Sequence, residues 1–242
     1  MKIYNFLAFD LGATSGRSVL GTLRDGKIET RELTRFPNAI VELHGKFYWN
    51  LLGLYEHLKE GLVACAREGI TPDSIGIDTW GVDVVPIGKD GSILGMPRAY
   101  RDPYTDGAPE RYFEIVPRSE VYDNTGIQIM NFNTLFQIYA AVQEGYTPVV
   151  KADKLLFMPD ALSYMLTGKK VCEYTIASTS QILNPRTAKF EKSLLEVAGV
   201  SADILPEPIL PGCKIGTLTD ALAAETRIGK VDVVAVAGHD TA

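Results

Sequence analysis

A chain of 242 residues suffices for one large domain or two small ones, and its 46% hydrophobic content supplies a core and leaves no case for overall disorder. The net charge of −6, with no basic run to offset it, argues against a nucleic-acid partner. The scattered cysteines Cys65, Cys172 and Cys213 form neither a disulfide scaffold nor a zinc site and fit a reducing cytoplasm, while no stretch reaches the ~20 apolar residues of a membrane span.

The apolar run Phe6 to Phe9 is interrupted by Asp10 and is too short for a signal peptide. Residues 3–9 and 18–23 read as strands joined through a glycine-containing turn. A second turn, Arg24-Asp25-Gly26-Lys27, leads to a third strand near 28–36, so a three-stranded meander opens the fold. A short strand near 46–49 follows. Asn50 can then cap a helix over about 51–68, ended by Gly69, with Leu51, Leu54, Tyr55, Leu58, Leu62 and Cys65 at helical spacing. Ser74 to Ile77 is the next strand. Val82 to Ile87 is expected to continue it after a kink at Gly81, before a turn at Lys89-Asp90-Gly91. Helices are expected near 108–117, 133–144 (capped by Asn133) and 160–166, with a strand from Lys154 to Met158. Val233 to Ala237 is a fully apolar strand that Gly238 breaks. Residues 95–215 are expected to elaborate a single α/β domain.

Three constellations carry chemistry. In Asp10-Leu11-Gly12-Ala13-Thr14-Ser15-Gly16-Arg17 an acidic residue, small and hydroxyl residues and an arginine are packed into the turn between two strands. Such a hairpin offers a phosphate chain backbone N–H groups, hydroxyls and a guanidinium; Asp10 can hold the Mg²⁺ that travels with a nucleotide. In Ile75-Gly76-Ile77-Asp78-Thr79-Trp80-Gly81-Val82-Asp83, Trp80 offers a flat apolar face, Gly81 leaves backbone open to a hydroxyl, and Asp78 or Asp83 can accept hydrogen bonds. That is a sugar-binding edge, against the plainer reading of a strand with one buried aromatic. Tyr100-Arg101-Asp102 is a further polar cluster that reads equally as a structural ion pair. In the terminal Gly238-His239-Asp240-Thr241-Ala242, a buried strand ends in groups able to exchange protons, although Asp240 could also cap a following helix. Ligands of open α/β sheets collect beyond the carboxyl ends of strands, where the hairpin and this segment both lead.

These segments, in this order, resemble the FGGY carbohydrate kinases. The likeness continues through Ala99-Tyr100-Arg101-Asp102, Thr125-Gly126-Ile127-Gln128, Phe132-Asn133-Thr134-Leu135, Met158-Pro159-Asp160, Leu166-Thr167-Gly168-Lys169 and Glu173-Tyr174-Thr175. The Asp78–Asp83 and Phe132–Leu135 blocks resemble one ketose-kinase branch. Gly81-Val82 stands where glycerol kinases carry Arg-Glu, and Gly81-Val82-Asp83 where xylulokinases carry Met-His-Gly. The Lys and Trp that many members have in the Asn133–Gln137 segment are absent.

The resemblance implies an actin-like ATPase (ribonuclease H-like) α/β domain, with a mixed central sheet flanked by helices. It implies ATP and Mg²⁺ as cofactors and a small ketose as substrate. Asp240 would be the general base, Gly81, His239, Asp240 and Thr241 would line the sugar, Ala13, Thr14, Ser15, Gly16 and Arg17 would hold the phosphates, and Asp10 would bind the metal. Residues 1–242 would form the N-terminal sugar-binding and phosphate-hairpin domain. Family members carry a second, nucleotide-binding domain; it is absent from this chain, so the expectation is an N-terminal half that is inactive alone. Another ketose kinase and a non-catalytic sugar-binding module stay open as alternatives.

Overall fold

The computed structural model describes residues 2–239, so Asp240 and Thr241 lie outside the described residues. The opening meander forms as expected: β1 (Tyr4–Leu11), β2 (Ser15–Arg24) and β3 (Lys27–Pro37) pair antiparallel in sequence order. After the hairpin of β4 (Ile40–Leu43) and β5 (Lys46–Trp49), the helix α1 (Leu51–Arg67) begins where the Asn50 carboxamide oxygen accepts from the Gly53 N–H at 3.0 Å. Such a cap is worth about 1 kcal/mol. The apolar stripe Leu51, Leu54, Leu58, Leu62 and Cys65 is buried against the sheet, where helical spacing places it.

β6 (Ser74–Asp78) enters beside β1, parallel to it, with Asp10 opposite Asp78. The strand Asp232–Val234 adds parallel to β6, and Lys214–Thr217 closes that edge antiparallel, giving a mixed six-stranded sheet. β1 alternates as a strand with one covered face should: Leu7, Phe9 and Leu11 are buried, while Ala8 on the other face is exposed. Helices α1, Met158–Thr167 and Asp220–Thr226 supply the covering core.

Val84–Ile87 departs from the expectation. It does not continue β6 but pairs antiparallel with Lys154–Phe157 in a separate two-stranded sheet. The break is built at Gly81–Asp83, where Val82 takes a positive φ and the Asp83 side chain is buried. The expected helix over 108–117 is also two: Ala108–Phe113 ends early and Pro117 opens Arg118–Thr125. Residues from this insertion build a second core, in which Tyr112 meets Phe136 and Tyr139 edge-on at 5.9 and 5.3 Å. Among the described residues no helix is long and apolar enough to cross a membrane.

α1 lies close on the sheet at Gly61, where an added Cβ would stand 2.6 Å from the Phe9 ring and 2.9 Å from Ser18 Cβ. Gly61→Val is therefore expected to cost about 1–3 kcal/mol through overpacking. Urea midpoints measure it, and an unchanged midpoint contradicts this packing.

Candidate functional site

Three parallel strands point their carboxyl ends at one edge of the sheet. Asp10 and Asp78 are register partners, and the pairing of β6 is prolonged beyond the sheet by a parallel bridge between Thr79 and His239. The Thr79 N–H donates to the Gly238 carbonyl at 3.1 Å. The opening hairpin, the Trp80–Asp83 loop and the terminal segment therefore converge.

In the hairpin, the Gly12 N–H donates to the Ser15 carbonyl at 2.8 Å. Asn38, which sequence reasoning passed over, locks the turn twice. Its backbone N–H donates to the Thr14 carbonyl and its side-chain amide to the Gly12 carbonyl, each at 2.9 Å. Gly16 is buried, and a Cβ there would stand 2.4 Å from the Phe36 ring, so this glycine serves packing onto β3. Arg17 Nε and Nη2 both meet Asp10 Oδ2, at 2.8 and 2.7 Å. With both side chains more than two-fifths exposed, this ion pair is worth little and a phosphate or cation can displace it cheaply. Mg²⁺ is usually held by one or two carboxylates together with substrate phosphates, and a strand-end Asp10 beside Asp78 suits that donor set. Among the described residues no cluster of three or more His, Cys, Asp or Glu could hold a metal by itself.

The sugar-side loop turns on one residue. Val82 has φ of +66°, and the Asp83 N–H donates to the Gly81 carbonyl at 2.9 Å, a γ-turn with positive φ. A β-branched residue in that region is strained by about 1–3 kcal/mol, so its surroundings must hold it there. They do: the Val82 N–H donates to Thr179 Oγ1 at 3.0 Å, and Thr134 Oγ1 donates to the Val82 carbonyl at 2.7 Å. Gly81 lets Thr179 come this close, since a Cβ would stand 2.9 Å from its methyl carbon.

Behind the turn, Asp83 is buried and accepts from four donors: Trp49 Nε1, Trp80 Nε1 at 2.9 Å, Gln137 Nε2 at 2.8 Å and the Tyr100 N–H at 3.3 Å. Burial pushes its carboxyl up to about 6, against the pull of those hydrogen bonds. Asp83 is thus a structural hub, which corrects its expected role as a sugar acceptor. Trp80 is corrected in part. It borders the cavity, but it is 5% exposed, its indole N–H is committed to Asp83, and its ring lies against Trp49 at 4.2 Å. Tyr100-Arg101-Asp102 resolves into a structural pair with a different partner. Asp102 binds Arg98, with Nε to Oδ2 at 2.9 Å and Nη2 to Oδ1 at 2.8 Å. Burial pushes the Asp102 carboxyl up, but Arg98 and the Phe47 and Tyr104 N–H groups overcome this and hold it below its usual range.

A cavity of about 440 Å³, within the ordinary range for small-ligand sites, opens over the turn. Ala13, Trp80, Gly81 and His239 share its wall, so four of the expected site residues are brought together; Asp10, Thr14, Ser15, Gly16 and Arg17 do not line it. The remaining wall comes from Val82, Tyr100, Ile127, Gln128, Met130, Phe132, Asn133 and Thr179. Asn133 starts its helix without a side-chain cap; its amide instead donates to the Gln128 carbonyl at 2.9 Å and to Gln181 Oε1 at 2.7 Å. Gln181, fully buried with φ of +63°, in turn donates to Thr125 Oγ1 and the Ile127 carbonyl. No local pattern in the sequence announces Gln181 or Thr179, because both act across more than 45 residues.

Residues 5–242 match the FGGY family of carbohydrate kinases, N-terminal domain. The chain belongs to this family. The FGGY chain is 53% identical over 237 residues to the rhamnulokinase of Bacteroides thetaiotaomicron, covering 98% of this chain and 49% of that protein. It is 41% identical over 242 residues to the rhamnulokinase of Ligilactobacillus salivarius, covering 100% of this chain and 49% of that one. It therefore spans about half the length of the curated relatives it matches. Among solved structures, gluconate kinase from Lactobacillus acidophilus superposes with a TM-score of 0.86 at 16% identity, covering 99% of this chain and 48% of that one. Ligand-bound xylulose kinase from the same organism gives 0.85 at 16% identity, with 98% and 48% covered. These likenesses establish the expected actin-like fold, with its mixed sheet and flanking helices.

The FGGY hub Asp83 generates a pH prediction. Its folded pKa lies above the unfolded value of 3.8, so its stabilising contribution is complete below that value and is lost as pH rises through about 6. The stability difference between wild type and Asp83→Asn should accordingly shrink between about pH 4 and pH 7. Paired urea denaturation curves decide it; a pH-independent difference contradicts a raised pKa at Asp83.

Proposed function

We propose that this chain is the sugar-binding half of a kinase that transfers the γ-phosphoryl group of ATP to the 1-hydroxyl of L-rhamnulose, giving L-rhamnulose 1-phosphate and ADP in rhamnose catabolism. The observation that carries this reading is the shared cavity, in which the Ala13 turn meets the Gly81 turn and His239. The likeness to rhamnulokinases along nearly the whole chain narrows the sugar. Three free cysteines, two of them buried, support a reducing cytoplasmic setting.

In the proposed reaction the 1-hydroxyl oxygen forms a bond to the γ-phosphorus. The bond from that phosphorus to the β,γ-bridging oxygen breaks, and ADP leaves. Asp240 takes the hydroxyl proton, a general-base role typically worth about 10²–10⁴-fold. The Gly81–Val82 turn and His239 orient the sugar. The turn Ala13 to Arg17 receives the phosphates, and Arg17 exchanges its exposed partner Asp10 for phosphate oxygens. Mg²⁺ held through Asp10 would neutralise charge on the transferring group. A second, nucleotide-binding domain would supply the adenosine pocket and close over the site to exclude water.

Coupled ADP release with L-rhamnulose tests this on the full-length protein. Turnover is expected there, and none from the 242-residue chain alone, which should still bind the sugar weakly. Full-length Asp240→Asn should lose about 10²–10⁴-fold in kcat while calorimetry shows sugar affinity preserved. Near-normal turnover in that variant excludes Asp240 as the base.

A further inference from the structure

Two motifs that the sequence singles out, Met158-Pro159-Asp160 and Glu173-Tyr174-Thr175, have no part in the chemistry above. The structure stacks them behind the terminal segment. Asp160, 1% exposed, accepts the Glu173 N–H with both carboxylate oxygens at 3.1 and 3.2 Å. Burial holds the Asp160 carboxyl well above the usual range, and the neighbouring Glu173 charge adds to this. Glu173 is 3% exposed, and its carboxylate caps the short helix Tyr174–Ala177 through the Thr175 and Ile176 N–H groups at 2.8 and 2.9 Å. It also accepts the Thr175 hydroxyl proton at 2.6 Å.

That last bond orients the hydroxyl. With its hydrogen given to Glu173, Thr175 Oγ1 presents lone pairs to the Gly238 N–H and accepts it at 2.8 Å; Glu173 Oε2 shares the same N–H at 3.2 Å. From the opposite side, the Gly238 carbonyl accepts the Thr79 N–H at 3.1 Å. Gly238 is thus gripped by its N–H and its carbonyl, from two elements remote in sequence. A Cβ there would stand 2.8 Å from Glu173 Oε2 and 3.0 Å from Ile176 Cβ, so the grip requires glycine. A four-residue helix is capped by the first two of these bonds; the relay through Thr175 reaches beyond it to the strand end.

We propose that Thr175, oriented by Glu173, is a positioning residue that fixes the Gly238 peptide and so sets the approach of the segment carrying Asp240 to the sugar. The proposal rests on Asp240 as the base in the proposed reaction. Misplacing a reacting group by about 1 Å can cost about 10²-fold, so a loosened Gly238 should appear in kcat rather than in sugar affinity.

The test compares Thr175→Val, which keeps the shape and loses the acceptor, with Thr175→Ser, which keeps it. Both are made in the full-length protein; kcat and the L-rhamnulose Kd are measured, together with Gly238 amide hydrogen exchange without substrate. In Thr175→Val, kcat should fall by about tenfold or more and Gly238 exchange should quicken by about as much, with Kd within about threefold of wild type. Thr175→Ser should restore both. If the valine variant does not fold, Thr175→Ala removes the same acceptor and is read the same way. An active wild type whose folded valine or alanine variant keeps its kcat, or its Gly238 exchange rate, overturns the positioning role alone. A wild type that phosphorylates no L-rhamnulose overturns the reaction, and with it the role of Thr175 in that reaction.

Discussion

The parallel pairing of β6 with β1 on one side and with the terminal strand on the other is the constraint on which the site depends. Registers that place Asp10 opposite Asp78 and Thr79 opposite His239 leave no freedom about where three loops emerge. A slip of one residue would turn Leu7, Phe9 and Leu11 away from the core, so burial enforces the register. The same hydrophobic alternation that stabilises the sheet therefore also sets the distance between the hairpin and the cavity.

Beyond the strand ends, buried polar groups do what the sheet cannot. Asp83 draws together Trp49, Trp80, Gln137 and the Tyr100 backbone, four donors from four stretches of chain. The cost of burying that carboxyl is offset only while all four are present. The hub backs a turn that strains Val82, and Thr134 and Thr179 hold the turn from the insertion. Gln181 and Asn133 brace the opposite wall in the same way. The cavity thus takes one part of its wall from loops at the sheet's edge, through Ala13, Trp80 and His239, and another from the insertion, through Gln128, Phe132 and Thr179.

Features with local causes were legible in the sequence. The meander, the Asn50 cap, the apolar stripe of α1 and the hairpin each follow from spacing or turn chemistry within a few residues. Ala13, Gly81 and His239 could be picked from the sequence because they follow strand ends, and the structure places them on one cavity wall. What escaped depends on contacts made after folding. Asn38 buttresses a turn 26 residues earlier through its side chain. Thr179 and Gln181 lie in a segment without periodicity. Asn133 looked like a cap and spends its amide on the cavity wall instead. Trp80 and Asp83 looked like a sugar platform because an aromatic beside a carboxylate fits both a binding face and a buried hub. Only their burial separates the two.

On the proposed function, sugar binds in the cavity between the Ala13 turn and the Gly81–Val82 turn. Amide chemical-shift mapping of this chain during titration with L-rhamnulose tests it most directly. Saturable shifts are expected at Ala13, Gly81, Val82, Gln128 and His239, with β4 and β5 undisturbed. Saturable shifts confined to Val41, Leu43 and Tyr48, which line a separate groove, would contradict it.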